Sequence, residues 1–223
     1  MRIRFKPWAR PELEASKFYI DNPEEYKGKW RTLFNNNNPI HLELGCGKGG
    51  FISQLASSNL DVNYIAIDMV DAMLGLAKRN VEKVYSEKEI SIDNIYLTRY
   101  DIERILMIMD ENDKIDRIYI NFCNPWPRGK HRKKRLTHTR QLEKYKQFLK
   151  DGGEIYFKTD DDGLFNDSLL YFEEAGFEIE DKTFDLANNE EFWNNIETEH
   201  EKMFKDEGIK IKAAKVKKIN RIL

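Results

Sequence analysis

The stretch Ile40-His-Leu-Glu-Leu-Gly-Cys-Gly-Lys-Gly-Gly-Phe51 decides the fold. Ile40–Leu44 is a short apolar run bounded by breakers, which reads as a buried strand. Gly45, Gly47 and Gly50 then satisfy G-x-G-x-x-G, the spacing of a tight strand-to-helix turn whose bare backbone admits a ligand. Phe51–Ser57 continues as a helix. Working outward, Asn63–Ile67 is a second strand ending at Asp68. Val70–Tyr85 is a helix striped by Val70, Met73, Leu74, Ala77, Val81 and Val84. Asn94–Thr98 is a third strand, Ile102–Met109 a helix and Arg117–Phe122 a fourth strand. Leu142, Tyr145, Phe148 and Leu149 mark the next helix, and Glu154–Lys158 a fifth strand. Leu164, Phe165, Ser168, Leu169 and Phe172 stripe another helix. Phe177–Ile179 begins a sixth strand and Ile209–Ile219 supplies a seventh. Alternation of this kind predicts an α/β fold with a mostly parallel seven-stranded sheet and helices on both faces. Residues 1–38 read as a partly ordered arm with a short helix near Pro23–Phe34, and 39–223 as the core of a single domain.

At 223 residues, with 40% hydrophobic side chains, the chain can bury one α/β core. No apolar stretch is long enough to span a bilayer, and Met-Arg-Ile-Arg-Phe-Lys lacks a signal-peptide core, so the cytoplasm is the expected compartment. Cys46 and Cys123 form no Cys-x-x-Cys pair, and the histidines at 41, 131, 138 and 200 are scattered. Neither a metal site nor a disulfide is expected, and both cysteines read as small buried side chains. The net charge of −2 conceals a segregation. Pro127–Lys150 holds ten basic residues and one acidic one, whereas Asp151–Gly208 holds nineteen acidic and four basic. A concentrated basic face of that kind suits a nucleic-acid backbone.

A second stretch, Ile118-Tyr-Ile-Asn-Phe-Cys-Asn-Pro-Trp-Pro-Arg-Gly-Lys-His-Arg-Lys-Lys-Arg-Leu136, carries that face. Its strand must stop at Asn124, because Pro125 and Pro127 cannot donate ladder hydrogen bonds. An amide (Asn124) and an indole (Trp126) therefore stand at a strand's carboxyl end, directly before the cationic run Lys130, His131, Arg132, Lys133, Lys134, Arg135. Trp126 can stack on a base or pack in the core as most indoles do, and core packing is the more ordinary outcome.

In open α/β sheets ligands bind outside the carboxyl ends of the strands, where Glu43–Gly50, Asp68, Asp101, Asn124 and Asp160 all fall. Glu43 points to S-adenosylmethionine in preference to a dinucleotide. A carboxylate there suits a cationic ammonium and would repel a pyrophosphate. Asp68 can take both ribose hydroxyls, and Asp101 can sit at the adenine edge. Each of these aspartates precedes a helix, so each can instead be an N-cap. Asp160 can accept from the N1–H and N2–H₂ edge of guanine, or it too can cap a helix.

The whole chain resembles the bacterial tRNA (guanine-N7-)-methyltransferases. The likeness rests on Arg4-Phe-Lys-Pro-Trp-Ala9, Leu42-Glu-Leu-Gly-Cys-Gly-Lys-Gly49, Phe122-Cys-Asn-Pro-Trp-Pro-Arg128, Lys130-His-Arg-Lys-Lys-Arg-Leu136, Phe157-Lys-Thr-Asp160 and Thr198-Glu-His-Glu201. That resemblance implies a Rossmann-like class I methyltransferase fold, with S-adenosylmethionine as cofactor and tRNA as partner. It further implies methyl transfer to N7 of guanine 46 in the variable loop. By the same likeness Glu43, Gly45, Gly47, Asp68, Asp101 and Asn124 would contact the cofactor. Arg128, Asp160, Thr198, Glu199, His200 and Glu201 would contact the target nucleoside, and Lys130–Arg135 the tRNA. A monomer or homodimer fits equally. Two positions depart from the family pattern: Asn124 stands where Asp is usual, and His200 where Tyr is usual. Guanine N7 offers a lone pair at neutral pH, so no general base is required, and Asn124 is expected to position the reactants. Two other functions remain compatible with the sequence. One is an amino-methyltransferase acting on adenine or cytosine through Asn124-Pro-Trp126; the other is a non-catalytic RNA-binding protein with a vestigial cofactor fold.

Overall fold

The computed structural model describes residues 4–189 and 196–219, and for Glu199 and His200 the backbone only. The chain forms two compact units, Met1–Asp113 and Lys114–Leu223.

In the first unit the order is α1 (Ala9–Glu14), β1 (Tyr19–Ile20), β2 (Ile40–Leu44), α2 (Gly50–Ser58), β3 (Asn63–Asp68), α3 (Asp71–Glu87) and β4 (Ile95–Arg99). All of its strand pairs are parallel, β1 with β4, β4 with β3 and β3 with β2. Every residue of β2 is buried, as is β3 apart from its last residue, Asp68. This is the near-continuous apolar pattern of a strand covered on both faces. The stripe on α3 is seated through Leu74, Ala77, Val81 and Val84, joined by Ala72, Gly75 and Tyr85.

The arm is more structured than its composition suggests. β1 adds a strand to the seven expected, and α1 packs on α3, where Ala9 and Trp8 crowd Gly75. The single helix expected near Pro23–Phe34 is two 3-10 segments, Pro23–Tyr26 and Trp30–Leu33, separated at Gly28. Gly28 sits at φ +73°, a left-handed conformation that ends a helix. Trp30 is fully buried there and donates its indole N–H to the Ile108 carbonyl at 2.6 Å. The helix expected over Ile102–Met109 is likewise a 3-10 segment, Ile102–Met107.

The second unit runs β5 (Ile115–Asn121), α4 (Thr139–Phe148), β6 (Leu149–Thr159), α5 (Asp162–Glu174), β7 (Phe177–Thr183), α6 (Glu199–Asp206) and β8 (Lys212–Lys218). β5 and β6 pair in parallel, whereas β8 runs antiparallel to both β6 and β7. Phe148, Phe157, Phe165 and Phe172 are buried at the centre of this unit. The sixth expected strand extends four residues further, to Thr183, because its pairing with β8 continues through a bulge near Asp181.

Candidate functional site

The glycine loop of the first unit is tied across the ends of two strands. The N–H groups of Gly45 and Cys46 both donate to the Ile67 carbonyl, at 2.8 and 3.0 Å. Gly47 N–H donates to Asp68 Oδ2 at 2.9 Å, and Val70 N–H to Asp68 Oδ1 at 2.9 Å. Asp68 is therefore not the N-cap of α3, a position held by Val70 without a side-chain bond. Its carboxylate instead links the loop to the segment that enters α3. Burial raises its pKa above the usual aspartate value, against the backbone N–H groups of Val70, Gly47 and Met69, which favour the ionised form.

Glu43 is almost wholly buried on β2, and it lies close enough to help Asp68 and burial push the Cys46 thiol well above its ordinary pKa. Asp101 does cap: its Oδ1 accepts from Glu103 N–H at 3.0 Å, and the residue remains exposed. A polar cavity of about 430 Å³ lies at this rim, lined among others by Asn22, Met69, Arg99, Tyr100 and Asp101. Above Gly47 the space is open, since a Cβ built there would meet no atom within 4 Å. Open space over bare backbone, beside one buried and one loop-anchoring carboxylate, fits a cationic group with a vicinal diol.

The second unit carries the other predicted residues. Asn124 sits in a distorted turn between two non-glycine residues with positive φ, Phe122 at +51° and Trp126 at +43°. Asn124 Oδ1 accepts from Trp126 N–H at 3.0 Å, so the side chain holds its own turn together. Backbone strain of this kind costs of order 1–3 kcal/mol and collects at functional sites. Trp126 is half-buried and not a core indole. Its ring meets His131 edge-on at 5.6 Å, and Lys134 Nζ lies 5.3 Å from its centroid.

The basic run forms a 3-10 segment, Gly129–Lys134, with Arg128 before it. Arg128, Lys130, Arg132, Lys133 and Lys134 are exposed and His131 is half-buried. Arg135 must be withdrawn from the RNA-facing set. It is 3% exposed, donates to the Pro125 carbonyl at 2.7 Å and to Asp167 Oδ2 at 2.5 Å. Arg132 reaches the same Asp167 oxygen at 3.3 Å while staying exposed. Of the two cysteines, Cys46 is buried as expected, whereas Cys123 is partly exposed as a residue. Burial of the Cys123 thiol nevertheless pushes its pKa up to about 12.

Asp160 is not a helix cap, because its neighbour Asp161 caps α5 by accepting from Leu164 N–H at 2.6 Å. The Asp160 carbonyl is held by Lys212 Nζ at 2.9 Å, and its carboxylate has no hydrogen-bond partner among the described residues. Thr198 and Glu201 lie at the start of α6. Both are buried and form a capping box on α6, with Glu201 N–H donating to Thr198 Oγ1 at 3.0 Å and Thr198 N–H to Glu201 Oε2 at 2.6 Å. Their side chains are engaged in that box, and Glu201 also lines a cavity with Leu186, Glu197 and Lys205. The Thr-x-x-Glu spacing is itself the capping-box signature and was the signal available in the sequence. The side chains of Glu199 and His200 lie outside the described residues. Among those residues no group of His, Cys, Asp and Glu could hold a metal ion, and no helix is long and apolar enough to cross a membrane.

A family model described as "Putative methyltransferase" matches residues 37–214. A protein of Clostridium beijerinckii named tRNA (guanine-N(7)-)-methyltransferase is 61% identical over 95% of this chain and 96% of its own length. One of the same name from Clostridium perfringens is 58% identical over 98% of this chain and 100% of its own. Among solved structures, an antibiotic-related methyltransferase superposes with a TM-score of 0.61 at 18% identity, covering 86% of this chain and 93% of its own. The 16S rRNA methyltransferase KamB gives the same TM-score at 12% identity and the same coverage. These two likenesses establish the fold class, a Rossmann-like class I methyltransferase.

Proposed function

The chain belongs to the tRNA (guanine-N(7)-)-methyltransferase family, and from that premise we propose that it transfers a methyl group from S-adenosylmethionine to N7 of guanine 46 in the variable loop of tRNA. The observation that carries the cofactor half is the Gly47–Asp68 hydrogen bond beneath open space, with Glu43 buried nearby on the strand that feeds the loop. Glu43 would face the ammonium group, Asp68 the ribose hydroxyls and Asp101 the adenine edge, while Gly45 and Gly47 offer bare backbone. When bound, S-adenosylmethionine supplies an electrophilic methyl group on a sulfonium.

Guanine N7 needs no proton removed before it attacks, so the chain's task is to orient and to exclude water. Asp160, with its carboxylate unclaimed among the described residues, would accept from the N1–H and N2–H₂ groups of guanine. Arg128 would lie beside the nucleoside, with Thr198, Glu199, His200 and Glu201 as further candidates. Lys130, His131, Arg132, Lys133 and Lys134 would follow the RNA backbone. Asn124 would position and not act as a base. A tRNA substrate is consistent with a cytoplasmic protein.

The amino-methyltransferase alternative asks Asn124 Oδ1 to accept from an exocyclic amine. That oxygen already accepts from Trp126 N–H, which leaves it one lone pair for such an amine. The test is methyl transfer from labelled S-adenosylmethionine to unmodified tRNA, followed by nucleoside mass spectrometry. The expected product is 7-methylguanosine confined to the variable loop. A methylated adenine or cytosine amine would replace the proposal with the alternative, and cofactor binding without any product would favour a pure RNA binder.

A further inference from the structure

The glycine loop is also held from α3, by a residue outside the motifs that the sequence singles out. Asn80 Nδ2 donates to the Lys48 carbonyl at 2.8 Å. Ala77, about one turn earlier on the same side of α3, lies against Gly49, where an added Cβ would stand 2.7 Å from the Ala77 Cβ. The Gly49 N–H donates back to the Cys46 carbonyl at 2.9 Å. The peptide between Lys48 and Gly49 is therefore fixed at both polar ends, its oxygen by Asn80 and its N–H by Cys46. That matters because Gly45, Gly47 and Gly49 sit at φ +82°, +55° and +73°. Glycine backbone has the most conformational freedom to lose, so a loop built from it keeps one shape only where its surroundings hold it. Ile67 holds Gly45 and Cys46, Asp68 holds Gly47, and Asn80 holds Lys48.

We propose that Asn80 is a positioning residue for the cofactor: its bond to the Lys48 carbonyl sets the glycine loop in the shape that Gly47 and Asp68 offer to S-adenosylmethionine. The inference rests on the assignment of that loop to the cofactor. Asn80 is not itself assigned to a cofactor atom; it acts through Lys48. It is half-buried and stands off the apolar stripe of α3, so its side chain is not needed to seat the helix. The amide is the fitting group, because it can donate to a carbonyl, whereas a carboxylate of the same length would set one acceptor against another. The preceding residue, Arg79, faces the arm instead. Its guanidinium lies 3.6 Å from the Trp8 ring centroid and donates to both Glu12 carboxylate oxygens, at 2.9 and 2.6 Å. Adjacent residues of one helix thus hold different partners, and one serves as a control for the other.

The test compares Asn80→Ala, Asn80→Asp, Asn80→Gln and Arg79→Ala. Neither side chain belongs to the core, so the variants are expected to fold. Each is titrated with S-adenosylmethionine by calorimetry, assayed for methyl transfer to tRNA, and followed by amide hydrogen exchange without cofactor. The Asn80 bond is exposed and so worth a factor of about two to ten in an equilibrium. Asn80→Ala should raise the Kd and KM for S-adenosylmethionine by that factor, with kcat at saturating cofactor held within about twofold. Asn80→Asp should bind at least as weakly, and Asn80→Gln, which restores a donor on a longer side chain, should recover part of the affinity. Exchange should quicken at residues 47–50 in the Ala and Asp variants and slow again in Asn80→Gln. Arg79→Ala should stay within about twofold of wild type in cofactor affinity and in loop exchange. Wild-type affinity and exchange in Asn80→Ala would overturn the proposal. So would an equal loss in Arg79→Ala, which would trace the effect to α3 as a whole. A wild-type protein that bound no S-adenosylmethionine would instead remove the cofactor reading, and exchange in the free protein would still judge whether Asn80 holds the loop.

Discussion

Arg135 donates its Nε–H to the carbonyl oxygen of Pro125 at 2.7 Å, so the last cation of the basic run closes back onto the first proline of the turn before it. Its second bond, to Asp167, fixes that closure to α5. One residue in a run of like charges is thus a lock, while Lys130, Arg132, Lys133 and Lys134 stay exposed.

Substituting the lock and substituting its neighbours should therefore have opposite signatures. Arg135→Ala removes two hydrogen bonds made by a buried cation, and hydrogen bonds to charged groups are each worth about 1.5–3 kcal/mol. Because Asp167 keeps Arg132 as a partner, a net loss of about 1–3 kcal/mol is expected, read as a lowered Tm together with weakened tRNA binding. An unchanged Tm would show that the loop closes without it.

Reversing Lys133 and Lys134 to Glu should leave Tm nearly unchanged, because both are exposed. The effect belongs to tRNA affinity and to its dependence on salt. The slope of log K against log salt should flatten by roughly 0.7–0.9 for each RNA phosphate that is no longer neutralised. An unaltered slope would move the RNA to another surface, with the six cations of Ile209–Leu223 the next place to look.

Two loop glycines separate stability from cofactor binding. Gly47, at φ +55°, has open space where a Cβ would stand, so Gly47→Ala costs only the left-handed strain, about 1–2 kcal/mol. Its methyl group would project into the space assigned to S-adenosylmethionine, and cofactor affinity should fall at least tenfold. A Cβ at Gly49 would lie 2.7 Å from Ala77 Cβ and 2.8 Å from its Cα, so α2 and α3 must part. Gly49→Ala should lower Tm more than Gly47→Ala does, by the about 1–3 kcal/mol typical of overpacking. Calorimetry on the two variants, with and without cofactor, decides it.

Asp68 ties affinity to pH. Its folded pKa lies above the unfolded value, so the native state holds that proton more tightly. The ionised carboxylate therefore costs stability as pH rises through the interval between the two values, and protonation relieves that cost below it. Cofactor binding runs the other way, because only the carboxylate accepts from two ribose hydroxyls while also accepting from Gly47 and Val70. Affinity should fall on acidification at a pH above the ordinary aspartate value of about 3.9. Asp68→Asn should bind weakly with that dependence removed. An acid midpoint at or below the ordinary value would separate Asp68 from the cofactor.

Asn124→Ala deletes the acceptor for Trp126 N–H in a turn already strained at positive φ. That bond is exposed and so worth about 0.5–1.5 kcal/mol, and kcat should drop by about two- to tenfold. Asn124→Asp keeps an oxygen for that N–H and should keep kcat at or above the wild-type level. A strongly impaired Asn124→Asp would show that this chain needs the amide's own N–H₂ group.

The architecture was legible because β2, β3, β5 and β6 each hold a short apolar-rich run with polar residues or breakers at the carboxyl end, and because α3 keeps one stripe over four turns. The position of Asp68 and the glycine loop at strand ends was legible for the same reason, whereas the bond from Gly47 to Asp68 was not. Three further features were not. Asp160 and Asp161 are adjacent carboxylates, and only backbone geometry determines that the second caps α5. Arg135 is indistinguishable from Lys134 in a charge run, because burial depends on Asp167 thirty-two positions away. The pairing of Lys158 with Glu201 spans forty-three positions, and nothing local in β6 announces that a strand lysine is buried.

The two residues of β1 have a consequence for the molecule's behaviour in company. They pair with β4 in parallel, and Leu97 N–H donates to the Phe18 carbonyl at 2.8 Å while Thr98 Oγ1 donates to that of Ile20 at 2.8 Å. The arm thereby occupies hydrogen-bonding groups of β4 that would otherwise stand open as a template for a strand from another molecule. A proteolytic nick that freed the first twenty-odd residues would leave the glycine loop's own bonds in place and uncover that template. The damage would show as self-association in concentrated solution before it showed as lost chemistry.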